Sequence, residues 1–207
     1  CACKNNQVYD EWIVRDQGAM VRQIGYSPEE FAHITIEKEG GFDKAKQTLD
    51  KTEVKPSNYH PIPVKTNSAG EKYSKILNKI FINDYDFKDY DRATNIYWPG
   101  NKLGHGREDV IKFWNSLKSI LSEIKFKIEH VGYLDEPNRN PRASIRWSLE
   151  GIHSKDSKDY GKKTNSNLSF IGINHAELNL YGVIKEWVLF DEVAIWKQIL
   201  INKNKNG

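Results

Sequence analysis

The sequence predicts an α+β domain with helices packed on a curved antiparallel sheet, and two features of its patterning carry that expectation. Apolar residues recur at helical spacing through residues 68–121, and the period then switches to two for most of the remaining chain. Helices first and long strands afterwards put the helices against one face of an antiparallel sheet.

The first helix follows Ser68. Tyr73, Ile76, Leu77, Ile80 and Phe81 fall at spacings of three and four and form one apolar stripe. Ala93 to Trp98 is a short strand-like run stopped by Pro99-Gly100. Gly106-Arg107-Glu108-Asp109 opens a second helix whose buried face is Val110, Phe113, Trp114, Leu117, Ile120 and Leu121. Strands are expected at 124–134, 142–153, 166–178 and 182–191, with a long insertion at 154–165.

Residues 26–66 read as a connector. Ser27-Pro28-Glu29-Glu30 is a helix start, with Ser at the cap and Pro at the first helical position. Gly40-Gly41 breaks the chain, and 43–50 suits a short helix. Pro56, Pro61 and Pro63 then impose extended backbone.

One internal repeat organises the ends. EWIVRDQGAMVRQI at 11–24 matches EWVLFDEVAIWKQI at 186–199, so Glu11, Trp12, Asp16, Ala19, Gln23 and Ile24 recur as Glu186, Trp187, Asp191, Ala194, Gln198 and Ile199. Each copy reads as a strand ending at an Asp, then a short amphipathic helix. The second copy closes a complete domain, at 67–201, followed by a tail at 202–207. The first implies that residues 1–25 are the C-terminal remnant of a preceding repeat of the same kind. On that reading CAC and VYDEW are strands around a turn at Lys4–Gln7. Cys1 and Cys3 are then strand residues, too close in sequence to bridge without distortion.

Composition narrows the function classes. With 38% apolar and 29% charged residues the chain is an ordinary globular one, and six Trp among 12% aromatic residues suggest a core or pocket lined with large rings. The formal charge of +3 is small and the lysines are scattered among acids, so no nucleic-acid partner is expected. The longest apolar runs fall far short of the roughly 20 residues that span a bilayer, so no membrane partner is expected either and a cytoplasmic location is. No Cys/His metal spacing appears, and no GxGxxG, P-loop, GxSxG or HExxH, so neither metal nor cofactor is expected.

GHGREDVIKFW at 104–114, RWSLEGIH at 146–153, YGKKTN at 160–165, GINHAEL at 172–178 and EWVLFDEVAIWKQI at 186–199 stand in one order over about 135 residues. In this they resemble the SnoaL-like polyketide cyclase and ester cyclase family of the NTF2-like superfamily. The duplicated terminal motif resembles tandem members of that family. Lys162-Lys163-Thr164-Asn165 departs from the two prolines, threonine and glycine that the family often carries there. The resemblance implies an NTF2-like cone with a hydrophobic pocket, and cofactor-independent acid–base chemistry, cyclase- or isomerase-like, on a small hydrophobic carbonyl compound.

Asp191 is the foremost catalytic candidate, since the resemblance places it where the cyclases carry an acid–base Asp. Trp187 and Leu189 share its strand face, and desolvation there raises a carboxyl toward useful pKa values. The alternative is an Asp that caps the following helix. His153 shares the face of Ile145, Trp147 and Leu149, and His175 lies on the neighbouring strand. Either suits polarising a carbonyl, or is a satisfied histidine at a sheet end. Trp98, Trp147, Tyr160, Trp187 and His105 are the candidate ligand-binding residues, with His105 and Arg107 at a helix start that favours an anion. Ile171 and Ile173 alternate with Phe170, so one apolar set leaves the pocket side, which implies a homodimer. The same fold also serves as a non-catalytic ligand-binding or protein-docking module.

Overall fold

The computed structural model describes residues 2–51, 63–84 and 86–205. It opens with a hairpin of β1 (Ala2–Lys4) and β2 (Gln7–Asp10), which form their own two-stranded sheet. Asn5 and Asn6 both have positive φ, 52° and 59°. A two-residue turn of that hand matches the twist of the flanking strands, and Asn tolerates it well.

Three helices follow: α1 (Gln17–Gln23), α2 (Pro28–Lys38) and α3 (Phe42–Lys51). Ser27 and Glu30 complete a capping box on α2, each side chain bonded to the other's backbone N–H. The segment expected to be a connector thus contributes packed helices. Ala32, Ile36 and Ala45 are fully buried there, and α2 and α3 lie against the last helix of the chain, α6 (Glu192–Lys205). Pro56 and Pro61 lie outside the described residues. α6 runs four residues beyond the expected domain end at 201.

The main body comprises α4 (Ala69–Phe81), a single 3₁₀ turn at Phe87–Asp89, β3 (Tyr90–Trp98), β4 (Lys102–His105), α5 (Gly106–Ser119), β5 (Leu121–Leu134), β6 (Arg142–His153), β7 (Asn167–Asn179) and β8 (Gly182–Phe190). Ser68 caps α4 through the Glu71 N–H at 3.2 Å. The six-stranded sheet has the order β4-β3-β8-β7-β6-β5. Every pair in it is antiparallel except β3 with β8, which is parallel. This is the expected α+β cone, with a mixed rather than purely antiparallel sheet. The parallel pair arises because β8 enters between β3 and β7 from the far end of the chain.

The sheet wraps α4 and α5, and its inner face supplies the core. On β7 the residues Leu168, Phe170, Gly172, Asn174, Ala176 and Leu178 are buried while those between them are more accessible. On β8, Glu186, Val188 and Phe190 face inward by the same alternation.

Candidate functional site

The cone interior is filled with rings. Trp98 stacks on Phe113 at 5.4 Å and meets Trp114 edge-on at 5.1 Å, while Phe81 stacks on Phe126 at 3.9 Å. Trp147 lies between Phe126, Phe170 and Phe190, with centroid distances of 5.8, 6.0 and 6.3 Å. Gly172 lets that ring approach the sheet: a Cβ at this position would sit 2.0 Å from Trp147.

One carboxyl sits among these rings. Glu186 is fully buried. Tyr73 donates its hydroxyl to Oε1 at 2.5 Å, and the Tyr90 hydroxyl lies 3.2 Å from both carboxyl oxygens. Asn174 donates from Nδ2 at 3.2 Å, and the Trp114 indole N–H points at Oε2 from 3.5 Å. The network extends outward, because Asn174 also donates to Tyr73 Oη at 2.8 Å and accepts the Trp147 indole N–H at 2.8 Å. All four donors to Glu186 are neutral. Burial therefore outweighs the hydrogen bonds, and the carboxyl pKa is pushed up to about 7. Tyr73 and Tyr90 are pushed well above the ordinary phenol value, by burial first and by the facing carboxylate second.

Tyr90 and Trp114 serve a second purpose. Both also line a narrow slot between α4, the 3₁₀ turn and α5, together with Ile76, Ile80, Val110 and Arg107. Exposed Asp86 and Asn115 form part of its rim. Its volume is about 20 Å³, roughly what one water needs. Arg107 is fixed there by its Nε, which donates to the Tyr90 carbonyl at 2.6 Å.

The sequence-derived candidates are distributed differently. Trp98 and Trp147 are in the aromatic interior with Glu186. His153 faces inward at the end of β6, fully buried, with Nδ1 3.4 Å from the Thr164 hydroxyl and Nε2 without a hydrogen-bond partner among the described residues. Burial lowers its pKa. His175 and Trp187 project from the opposite, outer face of the sheet. His175 Nε2 lies 3.4 Å from the Ser144 hydroxyl, and Trp187 stacks on Tyr97 at 5.4 Å. Tyr160 is buried in the loop between β6 and β7, and its backbone N–H donates to the Ser157 hydroxyl at 2.9 Å. His105 is exposed at the start of α5, its Nδ1 2.9 Å from the Asn95 side-chain oxygen.

Asp191 begins α6. Its Oδ1 accepts the backbone N–H groups of Val193 at 2.9 Å and Ala194 at 3.2 Å, so it caps the helix. Burial nonetheless raises its pKa against those two hydrogen bonds. It lines a surface groove with Arg15, Ser169 and Gln198 rather than the ring-lined interior. The residues that sequence reasoning passed over are Glu186, Tyr73, Tyr90 and Asn174. The available signal was Glu186 itself, an acid in phase with Val188 and Phe190 on an otherwise apolar strand face. Among the described residues no group of three or more His, Cys, Asp or Glu is placed to hold a metal ion, and no helix is long and apolar enough to cross a membrane.

No family model and no curated protein matches the chain. Solved structures do. A SnoaL-like polyketide cyclase from Agrobacterium tumefaciens superposes with a TM-score of 0.50 at 13% identity, covering 65% of this chain and 99% of that one. Wild-type IdmH from Streptomyces antibioticus gives 0.50 at 11%, covering 62% and 96%. A protein from Kribbella flavida gives 0.50 at 10%, covering 68% and 98%. At such identities the likeness speaks to architecture. The larger part of this chain carries the NTF2-like α+β cone fold found in SnoaL-like polyketide cyclases.

Proposed function

We propose that the domain performs cofactor-independent acid–base chemistry on a small hydrophobic carbonyl compound, with Glu186 rather than Asp191 as the proton-exchanging group. The observation that carries this reading is a fully buried carboxyl, held by neutral donors alone, with a pKa of about 7. Such a group is poised to take and return a proton near neutral pH. Tyr90 and Trp114 both border the slot and donate to Glu186. A substrate that displaces the Tyr90 hydroxyl from the carboxyl would therefore give its α-proton to Glu186 and receive the Tyr90 O–H at its enolate oxygen. The substrate must part α4 and α5 side chains to enter, because the slot at rest holds about one water.

The test needs no known substrate. Deuterium exchange at the α-carbons of a panel of aryl ketones and cyclic β-diketones is followed by NMR with wild-type protein and with Glu186→Gln. The expected result is catalysed exchange that falls at least about a hundredfold in the variant, the usual size of a general acid–base contribution. Equal rates in the two proteins would remove the reading.

A docking reading has its own support in the filled interior and the outer sheet face. There the Tyr97–Trp187 stack is joined by Leu103, which is 64% exposed. On this reading a second copy of the chain covers that face. Light scattering at tens of micromolar tests it; a monomer there, or a dimer untouched by Leu103→Glu, counts against it.

A further inference from the structure

A net-positive groove lies beside the slot. It has a volume of about 1040 Å³ and is lined by Lys72, Lys75, Lys79, Lys88, Arg92 and Arg107, with Asp89 and Asp91 as the acids among its described lining residues. Six cations less two acids leave +4 around this groove, more than the +3 of the whole chain. Two of the cations are partly spent: Lys79 pairs with Asp89 at 3.1 Å, and Lys75 with Glu71 at 2.9 Å. Lys72, Lys88 and Arg92 are exposed, and Arg107 donates its Nε to a neutral carbonyl while its charge also acts on Asp91.

The groove is amphipathic. Leu178 and Ile76 are buried in its wall, and Leu180 and Tyr181 at the β7–β8 turn are 97% and 73% exposed. It adjoins the slot, since Ile76, Asp89 and Arg107 line both. The cationic rim and its apolar wall therefore stand next to the slot lined by Tyr90 and Trp114, which in turn contact the buried carboxyl. Low-dielectric walls beside a ring of like charge focus the field and raise the local concentration of anions.

We infer that the ligand is an amphipathic anion: its carboxylate or phosphate group rests among Lys72, Lys88, Arg92 and Arg107, and its apolar end points into the slot at Tyr90 and Trp114. This deepens the acid–base reading of the same site by naming the charge its substrate carries. Fixing an acidic tail at the rim would orient the apolar, reacting end, and the binding energy of that tail is what would open a slot closed at rest. The shared chemistry is the anionic group; carboxylate and phosphate are separated by the probes.

The experiment follows the Trp114 indole N–H by NMR, assigned with Trp114→Phe, while hexanoate, hexyl phosphate, hexanol and inorganic phosphate are each titrated. Saturable shifts of that resonance with hexanoate or hexyl phosphate, several-fold tighter than with hexanol and weakened by added salt, are the expected result. The better of the two anions identifies the head group. The double variant Lys88→Gln/Arg92→Gln changes only exposed side chains, so the fold is spared, and it should weaken the anionic probes by about three- to tenfold while leaving hexanol unchanged. Hexanol binding as tightly as the anions overturns the inference and leaves Glu186 chemistry intact. Hexanoate and hexyl phosphate binding, seen by calorimetry, without moving the Trp114 resonance also overturns it, since the groove would then be separate from the slot; inorganic phosphate, which has no apolar end, should bind without moving it. Failure of the Glu186→Gln exchange test with anionic binding intact would instead sink the catalytic reading and keep the anion site.

Discussion

Residues 11–24 and 186–199 repeat one motif in two settings, and their differences separate what the motif encodes from what its surroundings impose. The Asp does the same work in both copies: Asp16 accepts the Ala19 N–H at 2.8 Å to cap α1, and Asp191 accepts those of Val193 and Ala194 to cap α6. The Trp is placed over a flat partner in both, Trp12 under the Arg146 guanidinium at 3.9 Å and Trp187 on the Tyr97 ring. The Glu does not behave alike. Glu11 is exposed in a segment with no strand, whereas Glu186 lies in mid-sheet with two phenols and an indole around it. Gln23 is likewise exposed, while Gln198 holds the Ser169 backbone through its carbonyl and its amide, each at 2.9 Å. The motif thus specifies an Asp-capped helix start, and the sheet around β8 turns its Glu into a candidate acid.

The largest contrast is expected from truncating that Glu in each copy. At pH 5.5 the Glu186 carboxyl is neutral, so Glu186→Ala leaves the hydroxyls and amide around it unsatisfied and opens a gap. The expected loss is about 3 kcal/mol by urea unfolding. Glu11→Ala should stay within about 0.5 kcal/mol, as surface changes usually do. Equal losses would mean that the first copy is packed as tightly as the second.

A pH series sharpens the same comparison. The folded pKa of Glu186 is raised from an ordinary 4.5 to about 7, so between these values the folded protein holds a proton that the unfolded chain has released. Its contribution to stability is therefore fully present below pH 4.5, declines as pH rises, and is lost above about pH 7. The span is about 3 kcal/mol. Tyr73 and Tyr90, which face the carboxyl, titrate above this window. His130, His153 and His175 have lowered pKa values and slope the opposite way, losing stability as pH falls. They cancel when wild type is compared with Glu186→Gln. The Gln variant should gain on wild type by about 3 kcal/mol from pH 4.5 to pH 8, and a flat difference would show that Glu186 is already ionised when folded.

Much of the architecture was legible in the sequence because it is local. Period two across 142–153 and 182–191 matches β6 and β8 to within a residue, and Ser27-Pro28 with Glu30 marks the start of α2. What escaped is non-local. β3 pairs in parallel with β8 across roughly ninety residues of sequence, and nothing in either strand announces the partner. α2 and α3 read as connector because their buried residues, Pro28, Ala32, Ile36 and Ala45, are few and include one large aliphatic side chain. The Glu186 network differs from the sequence candidates for a sharper reason. Taking Asp191 as the reference put Trp187 and Leu189 on the inner face, and a strand reading displaced by one residue inverts every side chain. The inner set is Glu186, Val188 and Phe190.

The smallest effects decide between the cap and the acid at Asp191. Its pKa is raised by burial even though two backbone N–H groups donate to it, so position alone leaves both roles open. Asp191→Asn keeps an oxygen for Val193 and Ala194, and Asn caps about as well as Asp. It should therefore cost a few tenths of a kcal/mol, while Asp191→Ala should cost about 1 kcal/mol. Asp16→Ala should cost at least as much, because Asp16 also accepts the Gly100 N–H at 2.9 Å and ties α1 to the β3–β4 turn. If both caps follow this order and Asp191→Asn retains α-carbon exchange within about twofold of wild type, the Asp is a junction device in either setting. An exchange rate that instead falls about a hundredfold in Asp191→Asn, with stability kept, would return the chemistry to α6 and leave Glu186 as a buried polar anchor of the sheet.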